Sequence, residues 1–135
     1  MKKELRNCDD EVYFTVETDA QNGWIRGCWY GIVPIEQIKS ASLLYVDCLQ
    51  RSPYTKILSD IRYLKSSFLD ANDWLERVCL APAVQAGLTS FAYLIPEDFT
   101  DKLAVEDFCR RAQGSFRVHI YDNEDDAVEW LKGCK

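Results

Sequence analysis

The regular alternation of short strand-like runs with helical segments constrains this chain more than any other feature. Residues 11–17 alternate in polarity, with Val12, Phe14 and Val16 on one side and Tyr13, Thr15 and Glu17 on the other, as a half-buried strand does. Asn22-Gly23 is a strong turn dipeptide, and residues 24–33 read as a second strand, so the two predict an antiparallel hairpin. After the hairpin, every strand is separated from the next by a helical pattern. Residues 56–61, 90–95 and 116–121 are the third, fourth and fifth strands.

Each helix has its own punctuation. Pro34 opens the first, which carries Ile38, Ala41, Tyr45, Cys48 and Leu49 as its apolar stripe and stops before Ser52-Pro53. Asp70 is the expected N-cap of the second, with Ala71, Trp74, Leu75 and Val78 on one face and a break near Pro82. The third starts at Thr100 or Asp101, buries Leu103, Ala104, Phe108 and Ala112, and ends at Gly114. The fourth starts at Asp122 or Asn123 and buries Ala127, Trp130 and Leu131. The order β-β-α-β-α-β-α-β-α predicts an α/β domain. Its sheet is mostly parallel and five-stranded, with one antiparallel N-terminal hairpin strand. Residues 1–10 are expected to be an N-terminal arm and residues 11–135 a single domain.

The strands also predict unequal sheet faces. A parallel strand covered on both sides is continuously apolar. Here Phe116, Val118 and Ile120 alternate with Arg117, His119 and Tyr121, so one face is expected to carry the helices. The other is mixed, and either partly open or covered by the arm and loops.

Charge narrows the function. There are 16 basic and 22 acidic residues, a net charge of −6, which argues against a nucleic-acid binder and against docking on anionic lipid. The start lacks an apolar signal segment, and no apolar run is long enough to span a membrane. A cytoplasmic location without membrane insertion is therefore expected. The six cysteines, Cys8, Cys28, Cys48, Cys79, Cys109 and Cys134, form no C-x-x-C pair and stand apart from the only histidine, His119. No metal site and no cofactor are expected; most of the thiols should be small buried hydrophobes, with Cys8 and Cys134 exposed near the ends.

The closing segment, Phe116-Arg117-Val118-His119-Ile120-Tyr121-Asp122 with Ala127 and Trp130-Leu131, resembles the last strand and helix of the SpoIIAA-like branch of STAS-type domains. The likeness in element order runs from about Val12 to Leu131. It implies a SpoIIAA-like fold and a regulatory, protein-binding role. In that family a regulatory serine follows the third strand, and Ser66 and Ser67 fall at the corresponding place. Lys65 stands where the family has an acidic residue and Phe68 where it has glycine. The resemblance thus implies a phosphoswitch and partner loop at Lys65, Ser66 and Ser67. Phosphorylation there would add charge able to order or disrupt the loop.

Other chemistry is sparse. There is no Walker loop, G-x-G-x-x-G or G-x-S-x-G. Gly23, Gly27 and Gly31 share one strand face, either relieving bulky neighbours or admitting another backbone or ligand. Arg117, His119 and Tyr121 share a face of the last strand and form a candidate cluster for an anion or a partner's carboxylate. No paired acid and base or nucleophile accompanies His119, so no catalytic residue is assigned. The acidic run from Asp122 to Asp126 reads as cap and helix-dipole chemistry. The reading is a non-enzymatic regulatory or interaction module that binds a protein partner or itself as a homodimer. The first alternative is a small carrier of an apolar ligand or lipid, as in lipid-carrying domains of similar fold, with Trp74 and Trp130 building its cavity. The second is an enzyme of unrecognised chemistry.

Overall fold

The turn at Asn22-Gly23 forms as the dipeptide predicts. The Asn22 backbone N–H donates to Asp19 Oδ1 at 3.0 Å, and Gly23 adopts φ +81°, a conformation a side chain would resist. It joins β2 (Val12–Asp19) to β3 (Trp24–Gly31) as an antiparallel pair. Crossover helices then connect parallel strands. α1 (Ile35–Gln50) leads to β4 (Lys56–Leu64), a broken helical segment to β5 (Ser90–Leu94), and α4 (Lys102–Ala112) to β6 (Arg117–Tyr121). α5 (Glu124–Gly133) follows. The computed structural model describes residues 1–134 and places the strands in one sheet, ordered as they occur in the chain.

The sheet has six strands, not five. Residues 2–6 form β1 (Lys2–Arg6), antiparallel to β2. Its sequence KKELR has one apolar residue, Leu5, so it gives no alternation signal; backbone hydrogen bonds to the free side of β2 make it a strand. Part of the expected arm therefore belongs to the sheet.

One face carries α1, α4 and the broken helix. Its core runs from Phe14, Trp29 and Tyr45 to Phe91, Tyr93 and Val105. Gly27 shows why a strand glycine sits there. A Cβ on it would lie 1.7 Å from Tyr45 Oη, so the α1 tyrosine occupies the space a side chain would need. The same hydroxyl donates to Ser59 Oγ at 3.1 Å, which also accepts the Trp29 Nε1–H at 3.3 Å. Of the two expectations for Gly27, relief for a bulky neighbour holds, and that neighbour comes from the helix.

The broken helix departs from simple periodicity. A 3-10 turn (Leu69–Ala71) runs into α2 (Asn72–Trp74), a π segment (Leu75–Cys79) and α3 (Leu80–Gln85). Pro82 has no N–H to give Val78, and its ring crowds that carbonyl. The ladder widens one turn earlier, where the Leu80 N–H donates to Leu75 O. The extra residue rotates the stripe, so Val78 turns to solvent and Cys79 packs against the core. Leu103, expected inside, is also exposed.

The second face is half covered. Ala127 and Leu131 of α5 close over Trp24, Leu58, Ala92 and Leu94. All five residues of β5 are consequently buried. Beyond α5 the sheet stays open over β2 and β3, where Thr15, Glu17, Arg26, Cys28 and Tyr30 are only partly buried.

Candidate functional site

In a parallel sheet the C-terminal strand ends and their loops form a natural binding edge. Here the 65–68 connector is tied down by backbone and hydroxyl bonds. The Lys65 N–H donates to Gly31 O at 2.8 Å. Ser66 Oγ accepts the Val33 N–H at 2.9 Å and donates to Val33 O at 3.4 Å. Ser67 Oγ accepts the Leu69 N–H at 3.1 Å at the entry to the 3-10 turn. Asp70, expected as the cap, lies inside that turn and makes no cap bond. Lys65 and Ser67 are exposed, whereas Ser66 is half-buried.

Between this connector and the loop after β5 lies a hollow of about 350 Å³, lined by Lys65, Ser66 and Ser67 on one side and Asp98, Thr100 and Asp101 on the other. Exposed apolar side chains stand at the same end of the sheet. Ile32 after β3 is 76% exposed, Tyr63 at the end of β4 50%, and Leu103 in the first turn of α4 63%. The ring of Tyr63 stacks on Tyr30 at 5.9 Å between centroids.

Arg117, His119 and Tyr121 do share one face of β6, but their partners differ. Arg117 Nη2 donates to Ser90 Oγ at 2.9 Å. The His119 ring stacks on Trp130 of α5 at 4.2 Å, nearly parallel, and its Nδ1 lies 3.4 Å from the Tyr121 hydroxyl. Trp130 lies against one face of the imidazole, while Arg117 and His119 stay exposed and Tyr121 is half-buried.

A charge cluster that the sequence reading missed sits where the open and covered halves of the second face meet. Asp60, 1% exposed, is held by Arg62 through Nε at 3.0 Å and Nη2 at 2.8 Å, by the Arg62 backbone N–H at 3.0 Å, and by Arg26 Nη2 at 3.2 Å. Glu124 Oε1 accepts from Arg26 at 2.9 Å and from Arg62 at 3.2 Å. Burial alone would push the Asp60 carboxyl up. The hydrogen bonds and charge of Arg62, with the charge of Arg26, overcome that and hold it below the usual carboxylate range. The hydrogen bond from Arg26 holds Glu124 low as well. Two carboxylates and two guanidiniums balance, which suits a structural clamp for the start of α5 better than a reactive site. At the other end of α5, Lys56 Nζ donates to Leu131 O at 2.6 Å. A carboxylate between Leu58 and Ile61 in a strand, Asp60 in KILSDI, was the available signal.

The interior holds an apolar cavity of about 90 Å³, lined by residues such as Tyr45, Leu75, Cys79 and Phe108. Ligand pockets for small molecules run to roughly 300–1,000 Å³, so this one is too small for a lipid. Trp74 packs beside the main core and Trp130 lies on the opposite sheet face, so the two build no common cavity. Burial pushes the Cys79 thiol up to about 11, which makes it unreactive. Cys8 is exposed as expected; Cys134 is buried instead. Among the described residues no three His, Cys, Asp or Glu side chains gather as metal ligands would, and no helix is long and apolar enough to cross a membrane.

No protein-family model matches the chain, and comparison with curated proteins gives no significant match. Among solved structures it is similar to a chain in the crystal structure of diguanylate cyclase SiaD in complex with its activator SiaC from Pseudomonas aeruginosa. The TM-score is 0.45 and the identity 16%, over 80% of this chain and 92% of that one. A likeness at that level assigns neither a family nor an activity.

Proposed function

We propose that this chain is a non-enzymatic protein-interaction module of SpoIIAA-like order that engages a partner protein at the strand-end hollow. The observation that carries the reading is the hollow itself. It has charged and hydroxyl groups from two loops on its walls, and Ile32, Tyr63 and Leu103 stand exposed at the same end of the sheet. A polar recess beside unburied apolar side chains suits a protein surface better than a small substrate. The element order from β2 to α5 supports the SpoIIAA-like part of the reading.

Within it, Ser67 is the residue suited to a phosphoswitch. Its hydroxyl is exposed, whereas Ser66 is locked to Val33 in both directions. A phosphate on Ser67 would place a dianion beside Lys65 and across the hollow from Asp98 and Asp101, changing what the recess attracts.

The test is affinity capture from the native host, comparing the wild-type protein with Ser67→Asp and Tyr63→Glu variants of unchanged thermal stability. One protein held by the wild type and lost by both variants is expected. A partner retained equally by all three would remove the hollow from the reading.

A further inference from the structure

The two edges of the sheet are built differently. On β1, Lys2, Lys3 and Arg6 supply three cations in five residues, and the register slips at Leu5/Arg6. Edge charge and a bulge both discourage further strand pairing. Antiparallel self-pairing about Glu4 would set Glu4 against Glu4 and Lys2 against Arg6, like against like.

β6 is guarded far less, with a single cation, Arg117, at its first position. The Arg117 N–H donates to Thr89 O, and Tyr121 O accepts the Ile95 N–H, so Arg117, His119 and Tyr121 turn their backbone groups toward β5. Val118 and Ile120 therefore turn both N–H and C=O away from the sheet. No lysine, proline or bulge interrupts RVHIY, and the Ile120 side chain is 38% exposed. A shallow groove of about 480 Å³ follows this edge, with Arg110 and Gln113 of the α4 end beside Phe116, Val118 and Ile120.

We propose that β6 pairs with β6 of a second copy, antiparallel about His119, joining two six-stranded sheets into one of twelve strands. This register sets Val118 opposite Ile120 of the second copy, and Ile120 opposite its Val118. Those are the residues with free backbone, so each pair exchanges two hydrogen bonds. Arg117 comes to lie across from Tyr121 of the second copy, cation against ring. Asp122 of the second copy comes opposite Phe116, at the end of the groove where Arg110 stands, acid against base. Backbone and apolar pairs are self-complementary about His119, which meets its own copy on the axis, a match that an unrelated strand has no reason to provide. The proposal is independent of the hollow at the strand ends.

Sedimentation velocity over a wide concentration range, with hydrogen exchange of the wild-type chain, tests it. A reversible doubling of mass is expected, with the Val118 and Ile120 amides slowing as concentration rises. Ile120→Lys copies the guard on β1 and should weaken association about tenfold or more. Ile120→Pro removes an outward N–H that bonds nothing within the sheet and should act alike, whereas Leu5→Lys on the opposite edge should leave association unchanged. A monomer at every concentration, with both amides exchanging freely, would overturn the proposal and leave the edge open to a foreign strand. A dimer untouched by either Ile120 variant would overturn it too. The wild-type exchange data decide the matter even where a variant fails to fold.

Discussion

The two faces of the sheet are held by different forces. On the main face, aromatic rings interlock. Phe14 sits 4.5 Å from Trp29 and 5.0 Å from Tyr45 between centroids, and Phe91, Tyr93 and Phe108 form a second group. On the second face, four buried strand residues under two from a single helix make a small core. Charged hydrogen bonds finish it, from Arg26 and Arg62 at one end of α5 and from Lys56 at the other. One face is specified by shape and the other by charge. A face too narrow for much apolar burial holds its helix by the ends.

Gly27→Ala tests the shape side and should have the largest effect. With Tyr45 Oη, Cζ and Cε1 all inside 3 Å of the new Cβ, the ring must leave its place. A loss of about 4 kcal/mol or more, or no folded protein, is expected in urea unfolding. Asp60→Ala tests the charge side. It leaves two guanidiniums sharing only the half-exposed Glu124 in place of their buried carboxylate, and should cost about 3 kcal/mol. Added salt should return part of that loss and none of the Gly27→Ala loss. Equal salt response in both variants would break the distinction between the faces.

Acid should act on the second face as well. Asp60 and Glu124 titrate below their ordinary range when folded. Their contribution is therefore complete above the unfolded carboxylate pKa of about 4, and is lost as pH falls through the lower folded values. Wild-type stability should decline on that acid limb, and Asp60→Ala should flatten the decline. The smallest effect is expected for Glu124→Gln. This half-exposed partner keeps a hydrogen-bond acceptor, and its loss should cost about 0.5–1 kcal/mol by thermal unfolding. A Glu124→Gln loss as large as that of Asp60→Ala would mean that α5 docking, not the buried carboxylate, dominates the cluster.

The crossover architecture was legible because Pro34, Ser52-Pro53 and Gly114 punctuate segments of clear period. Gly87 and Gly114 take positive φ as helix stops, at +110° and +83°. β1 was illegible because a strand made by backbone pairing at an edge needs no apolar pattern. The outward turn of Val78 was illegible because a π segment shifts helical phase, and only the proline four residues on announces it. At the candidate site, Lys65, Ser66 and Ser67 follow the end of β4 in sequence, but the opposing wall of Asp98, Thr100 and Asp101 comes from a loop about thirty residues later. The pairing of Arg26 with Glu124 spans 98 residues and has no local signature at all.

That separation has a kinetic meaning. Every strand lies beside its sequence neighbour, so the sheet can assemble strand by strand, closing no loop longer than one crossover. α5 is the exception, since it must return to Trp24 and Arg26 near the opposite end of the chain. Its docking is therefore the natural last event of folding, and its release the natural first opening of the native protein. Amides of α5 should exchange through a smaller excursion than those of β4 and β5, with Trp24 and Leu58 uncovered each time the helix lifts.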